Sequence, residues 1–106
     1  MICEIVRFQV PAGTTREHVM ADARSVSERW RREADLIRKH FLFDGETEVI
    51  GIYFWKNKPA AVAAHDDAWH KRLLHTHGST PEISYFDTLM IVDNLAGDVS
   101  EFPPND

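Results

Sequence analysis

The chain has a single cysteine, Cys3. No intrachain disulfide can form from it, and no cysteine-based metal cage exists. No apolar run approaches membrane-spanning length. The opening "MICEIVRFQV" has no basic leader region, and Glu4 and Arg7 interrupt it, so it is not expected to be a signal peptide. There is no Gly-rich phosphate loop, which argues against a nucleotide cofactor, and no G-x-S-x-G elbow. An excess of basic residues is also missing. The formal net charge is -5, which argues against a nucleic-acid backbone or an anionic membrane as partner. The expected location is the cytoplasm.

What is present fits one small domain. The chain has 106 residues, 43% of them hydrophobic. A core can form, but a domain of this size buries a modest share of its surface, and self-association would help it. The expected domain covers residues 1–94, followed by a tail over 95–106 that is Gly- and Pro-containing.

"ICEIVRFQV" predicts a first strand ended by Pro11-Ala12-Gly13. Thr14-Thr15-Arg16-Glu17 has the pattern of a capping box, and Val19, Ala23, Val26 and Trp30 recur at helical spacing after it. "LIRKHFLF", the Asp44-Gly45 turn and "EVIGIYFW" predict a hairpin. Asn57-Lys58-Pro59 opens a second helix that runs to about Thr76, with Gly78 as its stop. "EISYFDTLMIVD" predicts one long last strand. The order β-α-β-β-α-β is that of an α+β, ferredoxin-like unit, an antiparallel sheet with two helices on one face.

A sheet with one wet face alternates apolar and polar residues. Here Val49, Tyr53 and Trp55 fall on one face of the third strand, and Ile50, Ile52 and Phe54 on the other. Two helices cover one face only. The simplest cover for the other is a second copy, giving a two-fold homodimer through the sheet faces.

The stretch "AAHDDAWHKRLLHTHGST" holds four of the six histidines. Read as one helix, it puts Val62, Trp69 and Leu73 on a core stripe with His65 at its edge. Asp66 and His70 have the spacing to share a metal ion or to form a surface ion pair, but H-E-x-x-H is absent, and no metal site is expected. His65 at the rim of an apolar pocket is a candidate base, or a packed and inert ring. From the sheet, the pairs Arg38 and His40, Tyr53 and Trp55, and Tyr85 and Asp87 make a small-molecule pocket if all three line one side. Asp87 in so apolar a strand calls for a cationic partner, with Arg38 and Arg7 as candidates.

The strand order, the two-sided sheet and the motif "GIYFWKNKPAAVAAH" together resemble the antibiotic biosynthesis monooxygenase-like group. These are small proteins of the dimeric α+β barrel superfamily. In that group a G-x-Y-x-F/W strand ending leads into a helix start with paired alanines, and the last strand closes on a V-x-N-like end, here Val92-Asp93-Asn94. The resemblance covers residues 2–94. It implies a homodimer and cofactor-independent oxidation of small aromatic phenols or quinols. The substrate loses a proton and then itself reduces dioxygen. On this resemblance His65 or His40 is the base, Tyr53, Arg38 or Trp69 a donor, and Trp69 or Trp55 the tryptophan near the pocket. The resemblance also holds a haem-degrading branch, for which His70 or His65 would be an axial ligand. That branch uses an asparagine on the first strand, which this chain lacks. The remaining alternatives are an isomerase or lyase with the same base, and a non-enzymatic dimer that binds a small hydrophobic or aromatic ligand.

Overall fold

A computed structural model describes residues 1–104 of the chain. Strand β1 (Ile2–Gln9) leads to helix α1 (Arg16–Arg31), then β2 (Leu36–Phe43) and β3 (Glu48–Trp55). Two short helices follow, α2 (Lys58–Ala64) and α3 (Asp67–His77). The chain then forms β4 (Glu82–Asp87), β5 (Met90–Asp93) and β6 (Asp98–Glu101). Strands β2-β3-β1-β4 make one antiparallel sheet, and β5-β6 a separate hairpin. The architecture is α+β and compatible with a ferredoxin-like fold.

Local chemistry sets the element ends. The Thr15 side chain accepts from the His18 N–H and caps α1. Asp44 Oδ1 accepts from the N–H groups of Glu46 and Glu48, and Gly45 has φ +84, which closes the β2-β3 hairpin. Asn57 caps α2 through the Ala60 N–H.

The predicted order differs from the structure in two places. The second helix is broken at His65, whose φ of -109 and ψ of 58 are not helical. Asp66 then restarts the chain as the cap of α3, accepting from the Trp69 N–H at 2.9 Å. The break rotates the two halves relative to one another. Val62 is therefore 51% exposed, while Ala61, Ala64 and Trp69 are buried. The long last strand also divides. Thr88 N–H donates to the Met1 carbonyl, and Leu89 then leaves the sheet. Asp93 Oδ1 accepts from Leu95 and Ala96 and closes a turn, so part of the expected tail comes back as β6 (Asp98–Glu101).

The register fixes the two faces. Ile2, Glu4 and Val6 on β1 lie level with Val49, Gly51, Tyr53 and Trp55 on β3, and these buried positions meet the helices. Cys3, Ile5 and Arg7 lie level with Ile50, Ile52 and Phe54 on the opposite, open face. The core centres on Ile2, Val6, Trp30, Tyr53, Trp55 and Trp69. Gly51 matters here. A Cβ on it would come within 2.8 Å of Tyr53 Cε1, so the missing side chain lets the Tyr53 ring lie back along the strand.

Candidate functional site

A buried carboxylate organises the helix-facing side of the sheet. Glu4 is 0% exposed, although its neighbours on that face, Ile2 and Val6, are apolar. An ionised carboxylate in such a place is costly unless it is paired and hydrogen-bonded. Its Oε1 accepts from Trp55 Nε1 at 2.9 Å and lies 3.1 Å from His65 Nδ1. His65 Nδ1 also lies 3.2 Å from the Ala61 carbonyl oxygen. Both neighbours of Nδ1 are acceptors, so the heavy-atom geometry puts a proton on Nδ1. In the neutral ring Nε2 then carries the lone pair.

Two atoms of this group are poorly partnered. Glu4 Oε2 and His65 Nε2 are buried and make no well-formed hydrogen bond among the described residues, although the Tyr85 side chain interacts with the Glu4 carboxylate. A buried polar atom left so costs roughly 1–3 kcal/mol. The helix break places the second of them. As the residue between α2 and α3, His65 is held at its Nδ1 side by Ala61 and Glu4, and Trp69 closes on its ring from α3.

Three aromatic rings surround that imidazole. Trp69, Tyr53 and Trp30 have ring centroids 4.4, 4.8 and 5.4 Å from it. These three also line a cavity of about 580 Å³ between the sheet and helices α1 and α3. His65 and Glu4 do not line it and sit behind this aromatic wall. The α1 stripe of Val19, Ala23 and Val26 faces the cavity instead of closing on the sheet, so Val26 is 37% exposed. Burial, with the Glu4 charge adding to it, pushes the Tyr53 hydroxyl well above its usual range. Burial first, then the charge and a side-chain contact of Glu4, raise Tyr85 to about 12. Both phenols keep their protons at neutral pH and so have an O–H to donate.

Lys39 lies on the same face, opposite Tyr53 in the ladder. Its Nζ stands 3.9, 4.4 and 4.5 Å from the ring centroids of Phe41, Trp30 and Tyr53. Burial, with the nearby Arg29 charge adding to it and Glu4 opposing, lowers its amine to about 7. A lysine at that value exchanges protons near neutrality.

The expected residues separate into two groups. His65, Tyr53, Trp55, Trp69 and Tyr85 meet on the helix-facing side. Arg38 and His40 do not join them. Arg38 pairs with Phe54 and His40 with Ile52, so both stand on the open face, where each packs on the Phe54 ring. The three polar pairs therefore do not line one side. Asp87 is exposed at the end of β4 and needs no buried partner. Among the described residues, no cluster of three or more His, Cys, Asp or Glu is placed to hold a metal ion. Asp66 is committed to its helix cap, and His70 packs against the Trp69 ring.

Glu4, Trp30 and Lys39 are the site residues that the motif reading missed. For the two strand residues the signal was period two, since Glu4 falls between Ile2 and Val6 and Lys39 two before Phe41, on apolar faces; Trp30 stood on the apolar stripe of α1.

No protein-family model matches the chain, and no curated protein matches it.

Proposed function

We propose that this protein is an enzyme that takes a proton from a small phenolic aromatic held between the sheet and the helices. The base is His65 Nε2. Glu4 fixes the ring through Nδ1–H and stabilises the imidazolium that forms, and Trp55 holds Glu4 in place. Tyr53 is a protonated donor near the developing oxyanion, and Trp30 and Trp69 form the apolar walls. His65 Nε2 lies buried behind these three rings, so the substrate gains access to it when they part. The observation that carries this reading is one imidazole with Nδ1 pinned by a buried carboxylate and Nε2 left without a partner.

With dioxygen as oxidant the chemistry is cofactor-independent monooxygenation, as the resemblance implies. An activated ring CH2 loses a proton to His65. The resulting anion transfers its electron pair to O2 and forms a C–O bond. Loss of the second hydrogen with O–O cleavage gives a ring ketone, and one water leaves. CH2 and O2 become C=O and H2O, which balances atoms and electrons. The open sheet face, with Ile5, Ile50, Ile52 and Phe54 beside the exposed Leu42 and Phe86, supports a homodimer in which a second copy covers it. His40 and Arg38 then belong to that interface and not to catalysis.

Haem binding is a second reading that uses the same atom. A histidine whose other nitrogen is held by a carboxylate is also a well-oriented metal ligand.

Oxygen uptake with an anthrone as probe tests the proposal. The wild type should consume one O2 per ketone formed. Glu4→Gln keeps the shape, and its amide oxygen still accepts from both Trp55 and His65, but the supporting charge is lost. Its turnover should fall at least tenfold while the fold is retained. No uptake by the wild type, with an intense absorption band on haem titration, would replace this reading by the second. No uptake and no band would leave a binding protein.

A further inference from the structure

The cavity differs from the rest of the molecule in charge. The chain carries 12 basic and 17 acidic residues. Yet the cavity wall holds Arg29, Lys39 and Arg72 against a single carboxylate, Asp22. The apolar part of the wall is aromatic and aliphatic, and Lys39 projects among Trp30, Phe41 and Tyr53. Among the described residues no carboxylate forms an ion pair with Lys39, whereas Arg29 is engaged by the Ala64 carbonyl at 2.7 Å. Ring faces attract a cation without neutralising it. A cation so placed, in an acidic protein, keeps its capacity for a counter-ion.

We propose that the cavity selects an aromatic ligand carrying one carboxylate, with the rings stacking on its arene and Lys39 pairing with its carboxylate. This rests on reading the cleft as a ligand cavity, and it narrows the phenolic substrate to an acid. Two charged groups tune Lys39. Arg29 on α1 lowers its amine and Glu4 on β1 raises it, while Asp22 and His18 on α1, Tyr53 on β3, and Arg72 and His77 on α3 are the other titratable groups on the cavity wall. A bound carboxylate favours the ammonium form, so binding takes up a proton wherever the free amine is neutral. With Lys39 at about 7, its charged fraction rises about tenfold from pH 8 to pH 6. Affinity for the acid follows, and affinity for an uncharged isostere does not.

The test is calorimetric titration of 2-naphthoate and 2-naphthamide at pH 6 and pH 8. It uses wild type, Lys39→Met and Lys39→Arg, each checked for fold by circular dichroism. In wild type the acid should bind at least tenfold tighter than the amide at pH 6, and the margin should shrink at pH 8. Lys39→Met should bring the two near parity at both pH values. Lys39→Arg should keep the preference and lose most of its pH dependence. Equal binding of acid and amide to wild type, or a preference that survives in Lys39→Met, overturns the inference and leaves the ligand cavity standing. Failure of both probes to bind any variant overturns the inference and the cavity reading together.

Discussion

Replacing Lys39 by methionine should change how stability depends on pH. The folded amine lies at about 7, well below the roughly 10.4 of a free lysine. Between those values the unfolded chain binds a proton that the folded chain does not. Raising the pH through this window therefore stabilises the wild type. Below about pH 6 both states are charged, and the cost of holding the ammonium among the rings is constant. Above about pH 10.4 the cost is gone. Linkage over pH 7 to 9 gives roughly 2 kcal/mol as an upper bound. Lys39 is only partly buried, so solvent screening brings this nearer to about 1 kcal/mol. The assay is urea unfolding followed by tryptophan fluorescence at pH 6, 7, 8 and 9. Stability of Lys39→Met minus wild type should be largest at pH 6 and 7 and shrink by about 1 kcal/mol by pH 9. The lost ring contacts shift that difference by a constant and leave its slope intact. Two parallel curves would show that Lys39 titrates as an ordinary exposed lysine, and the argument from burial would fail.

Trp55→Phe removes the indole N–H that Glu4 accepts and leaves a gap at a side chain with 0% exposure. It should cost about 2–4 kcal/mol in denaturant unfolding. Gly51→Ala drives a methyl into the Tyr53 ring and should cost roughly 1–3 kcal/mol, with the Tyr53 ring resonances displaced in NMR spectra. Asp66→Ala removes the cap that restarts the helix after His65 and should lower stability by about 1 kcal/mol. It should also weaken any turnover, because Trp69 and His65 are held on either side of that cap.

Much of the frame was legible because it rests on local chemistry. The strand β3 follows from "EVIGIYFW" and the Asp44-Gly45 turn, and α1 from its Thr15 cap. The break at His65 was missed because Val62, Trp69 and Leu73 on either side of it share one helical period. The capping aspartate in "HDDAW" was the competing signal, and it won. The end of β4 depends on Met1 pairing with Thr88, a contact between distant residues that no local pattern carries. Among the candidate residues, His65, Tyr53 and Trp69 were named by type and position, and their rings lie together on the helix-facing side. Arg38 and His40 were misplaced because the face of β2 is set by its register with β3 and not by its own pattern. Glu4 was hidden in plain alternation. A carboxylate on an apolar face reads as a solvated residue until its two hydrogen-bonding partners are known.

His65 holds a proton on Nδ1 between Glu4 and Ala61 and leaves Nε2 bare among the aromatic rings. Long-range proton–nitrogen correlation NMR on nitrogen-15 histidine-labelled protein reads the state of each ring nitrogen directly. The neutral ring should be the Nδ1–H tautomer, with Nε2 at the shift of a bare nitrogen. Addition of a phenolic ligand should move that Nε2 signal. An Nε2–H tautomer, or an Nε2 signal indifferent to the ligand, would contradict this arrangement of the ring.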